Sequence, residues 1–124
     1  MSPNRLVDYL NHIQQAASDA YAYAYAYVES ISLEEFLIDR RTQQAIIMNF
    51  IIIGEAATKI MDQYGDFIAN HSEIPWRSMR GMRNRIAHGY FDIDLELVWN
   101  TVQTELPQLL LLLPVVCDDA INEG

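Results

Sequence analysis

One short segment of the chain concentrates polar side chains that can take part in phosphoryl chemistry. It contains six residues of this kind: Arg80, Arg83, Asn84, Arg85, His88 and Tyr90. On a helix, Arg80, Asn84 and His88 follow one another at intervals of four and lie along one face. Arg83 lies one step round the helix from Asn84. An imidazole near a guanidinium can transfer protons and stabilise charge on a phosphoryl oxygen. The segment therefore predicts cleavage of a phosphodiester.

The same residue types favour RNA over DNA as the substrate. The ribose 2′-hydroxyl can attack the neighbouring phosphorus, so that a histidine and an arginine can suffice, whereas DNA hydrolysis usually needs a metal-activated water. Asp92 and Asp94 follow His88 and are the nearest candidate magnesium ligands, but two aspartates leading into a helix are more often N-caps. We therefore expect neither a metal nor another cofactor.

The arginines form a cationic segment in an acidic chain. Seventeen acidic residues and 8 Lys or Arg give a net charge of -9, which argues against indiscriminate nucleic-acid binding. Four of the eight bases lie within nine residues, and no acid lies between Ile74 and Phe91. Three of these arginines are candidate RNA-phosphate ligands, with solvated surface charges as the alternative: Arg77, Arg80 and Arg85.

Length and composition point to one domain spanning residues 1–124, because the 124-residue chain is too short for two cores. A hydrophobic content of 51% excludes intrinsically disordered classes. Cys117 is the single cysteine, which fits a reducing cytoplasm. The longest uncharged runs, Thr42–Gly54 and Leu106–Cys117, are shorter than the roughly 20 residues of a membrane span. We expect a soluble, cytoplasmic protein with no membrane partner.

The hydrophobic periodicity and capping signals predict an all-α bundle of four or five helices, with no β-hairpin. The first helix is opened by Pro3 and runs to about Glu29. Ser32 and Glu35 form a capping box that predicts a helix from Leu33. Asp39 is the cap of the next helix, which spans Arg40 to about Tyr64 and is ended by Gly65.

The second half of the chain predicts two further helices. Pro75 suits the first position of the helix that carries the arginines, and Gly89 suits its end. Asp92 and Asp94 are candidate caps for a final helix from Leu95. Pro107 should kink that helix or begin a new one.

Two segments suggest contact with a partner. Ala45–Ile53 is apolar except for Asn49, so it needs neighbours on every face, and we expect a dimer interface along it with Gly54 at the seam. Ala20–Tyr27 alternates Tyr and Ala. If helical, this Tyr/Ala tract places Tyr21 and Tyr25 on one face, with Tyr23 and Tyr27 nearly opposite. It then either contacts a partner or merely lengthens the helix.

Arg83-Asn84-Arg85-Ile86-Ala87-His88-Gly89-Tyr90 resembles the R-x4-H-x-Y signature of HepT-like toxins of the HEPN superfamily. These are small all-helical ribonucleases paired with a MntA-type nucleotidyltransferase antitoxin. The resemblance extends from about Leu6 to Pro114. It includes, in order, four other segments: Ser32–Phe36, Ile53–Ala57, Pro75-Trp76 and the helix around Trp99.

The resemblance implies a metal-independent endoribonuclease, the toxin of a type VII-like toxin–antitoxin pair. It implies that Arg83 and His88 carry cleavage, that Asn84 supports the site, and that two protomers form the groove in a homodimer. It further implies tRNA or another structured RNA as substrate. In this family the antitoxin transfers AMP from ATP to the motif tyrosine, here Tyr90, which would block the groove.

Two other functions remain open on the sequence alone. The chain could be a non-catalytic helical subunit that presents substrate or Tyr90 to a nucleotidyltransferase. A nucleotide-sensing helical module is a further alternative. Growth on expression of this chain alone, and cleavage of RNA by the purified protein, distinguish the toxin from both.

Overall fold

The computed structural model describes residues 5–26 and 29–123 and is almost entirely helical within those ranges. The helices in chain order are α1 Arg5–Tyr23, α2 Leu33–Ile38, α3 Arg40–Gln63, α4 Gly65–Asn70, α5 Trp76–His88, α6 Leu95–Asn100 and α7 Leu106–Glu123. A 3-10 turn, Tyr90–Asp92, follows α5, and a π-helical turn, Thr101–Glu105, joins α6 to α7. Two antiparallel strands of two residues each, β1 Tyr25–Ala26 and β2 Glu29–Ser30, follow α1. The predicted all-α class is confirmed.

The core lies around α3, which packs against α1 and α5, while α7 packs against α1. Leu10, Ile13 and Ala17 of α1 are buried at the predicted helical spacing, as are Ile46 and Ile60 of α3. By length and composition alone α3 could cross a membrane, but 44% of its most apolar window is buried inside the protein. This placement between two other helices is typical of a core helix.

The helix starts follow the predicted caps. Glu35 N donates to Ser32 Oγ over 3.1 Å and Ser32 N donates to Glu35 Oε1 over 3.0 Å, which completes the capping box. Thr42 N donates to Asp39 Oδ1, and Leu97 N donates to Asp94 Oδ1, each over 3.1 Å. The Asp94 carboxylate is thus an N-cap, as the more common use of an aspartate before a helix suggested.

The first helix is shorter than predicted, and the prediction that the chain has no hairpin is wrong. α1 ends at Tyr23, and the next residues of the Tyr/Ala tract, Tyr25 and Ala26, form strand β1 instead. The predicted contact of Tyr21 with Tyr25 nevertheless forms across the helix end, with hydroxyl oxygens 2.8 Å apart. Half of the Tyr23 side chain is exposed. Tyr27 lies outside the described residues.

Two other boundaries differ from the sequence prediction, whereas Pro107 lies at the start of a new helix, α7, as predicted. Gly65 does not end a helix: α3 ends at Gln63, and Gly65 begins the unpredicted helix α4. Pro75 is the residue before the first turn of α5. Pro107 lacks an amide hydrogen and its ring crowds the carbonyl four residues earlier, a conflict that the wider π-helical turn before it relieves. The chain therefore stays helical from Leu95 to Glu123.

His71, for which the sequence indicated no role, joins α4 to α7. Its buried ring lies 2.8 Å from the Phe67 carbonyl oxygen through Nδ1 and 3.0 Å from Asp119 Oδ2 through Nε2. A carbonyl and an ionised carboxylate only accept hydrogen bonds, so the ring makes both hydrogen bonds at once when both of its nitrogens are protonated. Burial lowers the pKa of His71, but its hydrogen bonds to Asp119 and to the Phe67 carbonyl outweigh burial, and the net pKa is raised.

The pair formed by His71 and Asp119 predicts that the free energy of unfolding falls as the pH rises. Because the pKa of His71 is raised on folding, its contribution is complete below the unfolded-state pKa of about 6.5 and is lost as the pH rises through the folded-state pKa. We expect thermal unfolding to show a larger fall in Tm between pH 6 and pH 9 for the wild type than for Asp119→Asn. The matched control is Asp118→Asn on the exposed side of α7. Equal pH profiles for all three proteins would contradict the assignment.

Candidate active site

Helix α5 places the polar segment at the surface with its apolar side inward. Met79 and Ile86 are buried and Met82 is half-buried, and these three residues form the apolar side of the helix. Asn84 and His88 are exposed, one turn apart on the outer face. The helix thus orients the motif because its apolar residues recur at helical spacing and hold the opposite face against the core.

Arg83 is anchored to α3 at the side of this face. Its Nη1 donates to Glu55 Oε1 over 3.0 Å, and its Nη2 donates to Thr58 Oγ1 over 3.1 Å. The side chain is 24% exposed, while that of Glu55 is 53% exposed. Glu55 of α3 is thus the ion-pair partner of an arginine on another helix.

Gly54 permits the close approach of α3 and α5 within one chain. A Cβ placed on Gly54 would lie 2.2 Å from Arg83 Cβ and 2.8 Å from the Met79 carbonyl oxygen. The expectation that Gly54 lies at a dimer seam is therefore wrong, because α5 of the same chain already occupies that space. The missing side chain lets the stem of Arg83 lie directly against the α3 backbone.

His88 lies beyond Arg83 at the carboxyl end of α5. Five positions along a helix separate two residues by about 140° around the axis and about 7.5 Å along it, so the two side chains leave α5 in different directions. The Arg83 guanidinium lies on the α3 side, whereas His88 borders a groove of about 470 Å³ between α5 and α6 that Met82, Ile93 and Leu97 also line. His88 is exposed, whereas the Arg83 side chain is 24% exposed.

Tyr90 lies two residues beyond His88, in the 3-10 turn. Its side chain is 48% exposed and its ring meets that of Phe91 edge to face, with centroids 5.9 Å apart. Tyr90 borders a separate groove of about 410 Å³, which Arg40 and Ile38 also line.

The three other arginines lie on the surface of α5. Arg77 and Arg85 are exposed and line a groove of about 360 Å³ with Thr101 and Glu105, while Arg80 is half-buried. Within the described part of the chain, none of the three forms an ion pair. Their charges are therefore available to an anionic ligand.

No group of three His, Cys, Asp or Glu residues in the described ranges could hold a metal ion. Asp94, a candidate ligand on the sequence, uses one carboxylate oxygen to cap α6. The polar groups of the site are thus a guanidinium, an imidazole, an amide and a phenol.

Comparison with known proteins identifies the family. The sequence profile described as Ribonuclease HepT-like matches residues 8–116. The chain belongs to the HepT-like ribonuclease family. A "Probable ribonuclease HepT" of Thermococcus cleftensis is 39% identical over 102 residues, which cover 82% of this chain and 86% of that relative. A "Putative RNase" of Caldanaerobacter subterraneus subsp. tengcongensis is 32% identical over 82% of this chain and 84% of its own length. No solved structure gives a significant match.

Family membership confirms the resemblance drawn from the R-x4-H-x-Y motif, and the HEPN-like helical fold agrees with it. The sequence did not identify Thr58 as a residue of the HepT-like site. Thr58 contacts Arg83 although the two are 25 positions apart in the chain. The available signal was the Gly54-x-x-x-Thr58 spacing, which puts a hydroxyl one turn after a glycine on a single helical face.

Proposed function

We propose that this chain is a metal-independent endoribonuclease that cleaves tRNA or another structured RNA. The observation that carries the proposal is an anchored Arg83 and an exposed His88, five positions apart on α5, in a chain of the HepT-like ribonuclease family. Arg77, Arg80 and Arg85 supply phosphate contacts beside the reacting groups. The acidic remainder of the surface repels polyanions that do not fit the groove.

The cleavage step uses the RNA's own nucleophile. The His88 imidazole removes the proton of a ribose 2′-hydroxyl, and the 2′-oxygen attacks the adjacent phosphorus. The bond from phosphorus to the 5′-oxygen breaks, that oxygen takes up a proton from water, and a 2′,3′-cyclic phosphate remains, while His88 returns its proton to solvent. Arg83 stabilises the charge on the non-bridging oxygens, because a guanidinium matches phosphate geometry. Asn84, between them on the helix surface, supports the site by hydrogen bonding to the substrate.

The site is completed in a homodimer. Met48 and Ile52, one turn apart on α3, are exposed to 56% and 38%, and Glu55 continues the same stripe to the Arg83 anchor. Large exposed apolar side chains next to a functional site are typical of an interface. Pairing along this stripe would bring the motifs of two protomers to one cleft and so double its positive charge.

We expect Met48→Glu to dissociate the dimer and to lower RNA cleavage, because it places a charge in the apolar interface. Sedimentation analysis measures the mass, which should fall from twice 14.3 kDa to that of one chain. Val115→Glu, on the exposed face of α7, is the matched control and should stay dimeric. A monomeric wild type, or dissociation by Val115→Glu alone, would contradict this interface.

Tyr90 is the residue through which activity is silenced. A MntA-type nucleotidyltransferase antitoxin would transfer AMP from ATP to it: the Tyr90 hydroxyl oxygen attacks the α-phosphorus, pyrophosphate leaves, and the hydroxyl proton passes to solvent. The 48% exposure of Tyr90 supports access of the transferase to it. The product carries bulk and a negative charge two residues from His88, which excludes and repels substrate phosphates. The chain is accordingly the toxin of a type VII-like toxin–antitoxin pair that acts in the cytoplasm.

One experiment tests both halves of this proposal. The purified chain is incubated with tRNA in EDTA, before and after treatment with a MntA-type transferase and ATP. The mass of the Tyr90-containing peptide is measured by mass spectrometry. We expect cleavage at first, then its loss together with the mass of an adenylyl group on that peptide. Labelling without any initial cleavage would favour a non-catalytic subunit that presents Tyr90 to the transferase. Cleavage that labelling leaves intact would contradict silencing through Tyr90.

A further inference from the structure

Helix α3 holds Arg83 from the inner side through two residues one turn apart, Gly54 and Thr58. The Thr58 hydroxyl donates to the Gly54 carbonyl oxygen over 2.8 Å, which commits its single hydrogen. The Thr58 oxygen is thereby left as an acceptor, and Arg83 Nη2 donates to it over 3.1 Å. Gly54 contributes twice, since its carbonyl orients the hydroxyl and its missing Cβ makes room for the Arg83 stem.

The two partners of the guanidinium differ in their access to solvent. Glu55 is 53% exposed, so a substrate phosphate can replace its carboxylate at Nη1. Thr58 is half-buried and fixed to the α3 backbone. Nε of Arg83 is buried and has no hydrogen-bond partner in the described part of the chain, so it adds no further anchor. When Glu55 is displaced, Thr58 is the contact that still defines the plane of the guanidinium.

We propose that Thr58 is a positioning residue for Arg83. Its hydroxyl, held by the Gly54 carbonyl, fixes the guanidinium so that Nη1 faces the scissile phosphate. The inference rests on the proposed function, because it assigns Arg83 to the cleavage step. Reaction rates fall steeply when a charge-stabilising group is misplaced by about an ångström, so the support of Arg83 should be visible in turnover.

Thr58→Val removes the hydroxyl and keeps the shape of the side chain. We expect it to lower kcat for RNA cleavage about 10-fold or more, with KM changed less than about twofold, because the RNA-binding arginines are untouched. Thr58→Ser restores the acceptor and should recover most of the lost turnover. Thr104→Val is the matched control: Thr104 donates to the Asn100 carbonyl over 2.7 Å in the same manner, at an exposed position outside the crossing of α3 and α5.

Three kinetic outcomes would overturn the proposal. Wild-type turnover in Thr58→Val would show that the hydroxyl does not position Arg83. Equal loss in Thr58→Ser and Thr58→Val would assign the effect to packing of the methyl group instead. A loss of the same size in Thr104→Val would assign it to helix stability.

A spectroscopic measurement decides the positioning independently of activity, and so separates its failure from failure of the proposed function. In nitrogen-15 spectra, hindered rotation of the Arg83 guanidinium should give resolved Nη signals, assigned by their absence in Arg83→Lys. We expect Thr58→Val to merge these signals and Thr58→Ser to retain them. Unchanged Arg83 signals in Thr58→Val would overturn the proposal, whereas a wild type that cleaves no RNA would contradict the proposed function alone.

Discussion

Replacement of His88 by alanine is expected to lower RNA cleavage by about 1,000-fold while leaving the protein folded. The imidazole is the side chain of the motif that serves as general base, and a positioned general base contributes about 10²- to 10⁴-fold. Because the side chain is exposed, its loss should change the free energy of unfolding by less than about 0.5 kcal/mol. The measurements are single-turnover cleavage of tRNA in EDTA and thermal unfolding.

His12→Ala is the matched control, because His12 is also an exposed helical histidine but lies on α1. It should cleave like the wild type. Expression of the His88→Ala protein in growing cells should also be tolerated, whereas expression of the wild type alone should arrest growth. Cleavage by His88→Ala at the wild-type rate would show that the imidazole takes no part in the reaction.

The second large effect is expected from Gly54→Ala, which should cost about 3 kcal/mol of the free energy of unfolding. The added methyl group would lie 2.2 Å from Arg83 Cβ and 2.8 Å from the Met79 carbonyl oxygen, so α5 must move away from α3. Overpacking of a well-packed contact typically costs about 1–3 kcal/mol, and here one obstacle is backbone that no rotamer change can shift. Denaturant unfolding measures the loss, and cleavage should fall with it because Arg83 moves.

Gly81→Ala supplies the control for helix propensity. Gly81 lies within α5, and a Cβ there meets no atom within 4 Å among the described residues. This substitution should therefore stabilise the protein by about 0.5–1 kcal/mol. If Gly54→Ala also stabilised the protein, the close helix crossing would be wrong. If the destabilisation became smaller as the protein concentration rose, Gly54 would instead lie at a dimer interface.

Local signals in the sequence were sufficient for most helix starts and for the inward face of each long helix. Ser32, Asp39 and Asp94 cap the helices that they were predicted to cap, because a cap is a contact among neighbouring residues. Boundaries that depend on competition between neighbouring structures were less predictable. The Tyr/Ala tract has a strand period and a helical composition, and only the pairing of β1 with β2 decided where α1 ends.

The R-x4-H-x-Y motif, the family and the cationic segment follow from the sequence by itself, because all three depend on residue types at short spacings. The anchoring of Arg83 by Glu55 and Thr58, and the pairing of His71 with Asp119, were decided by tertiary structure. These partners lie 25 to 48 positions apart, and their meeting depends on which helices pack and how closely they cross. Gly54 illustrates the limit: its sequence position showed that something approaches α3 closely, but only the packed helices showed that the neighbour is α5 of the same chain.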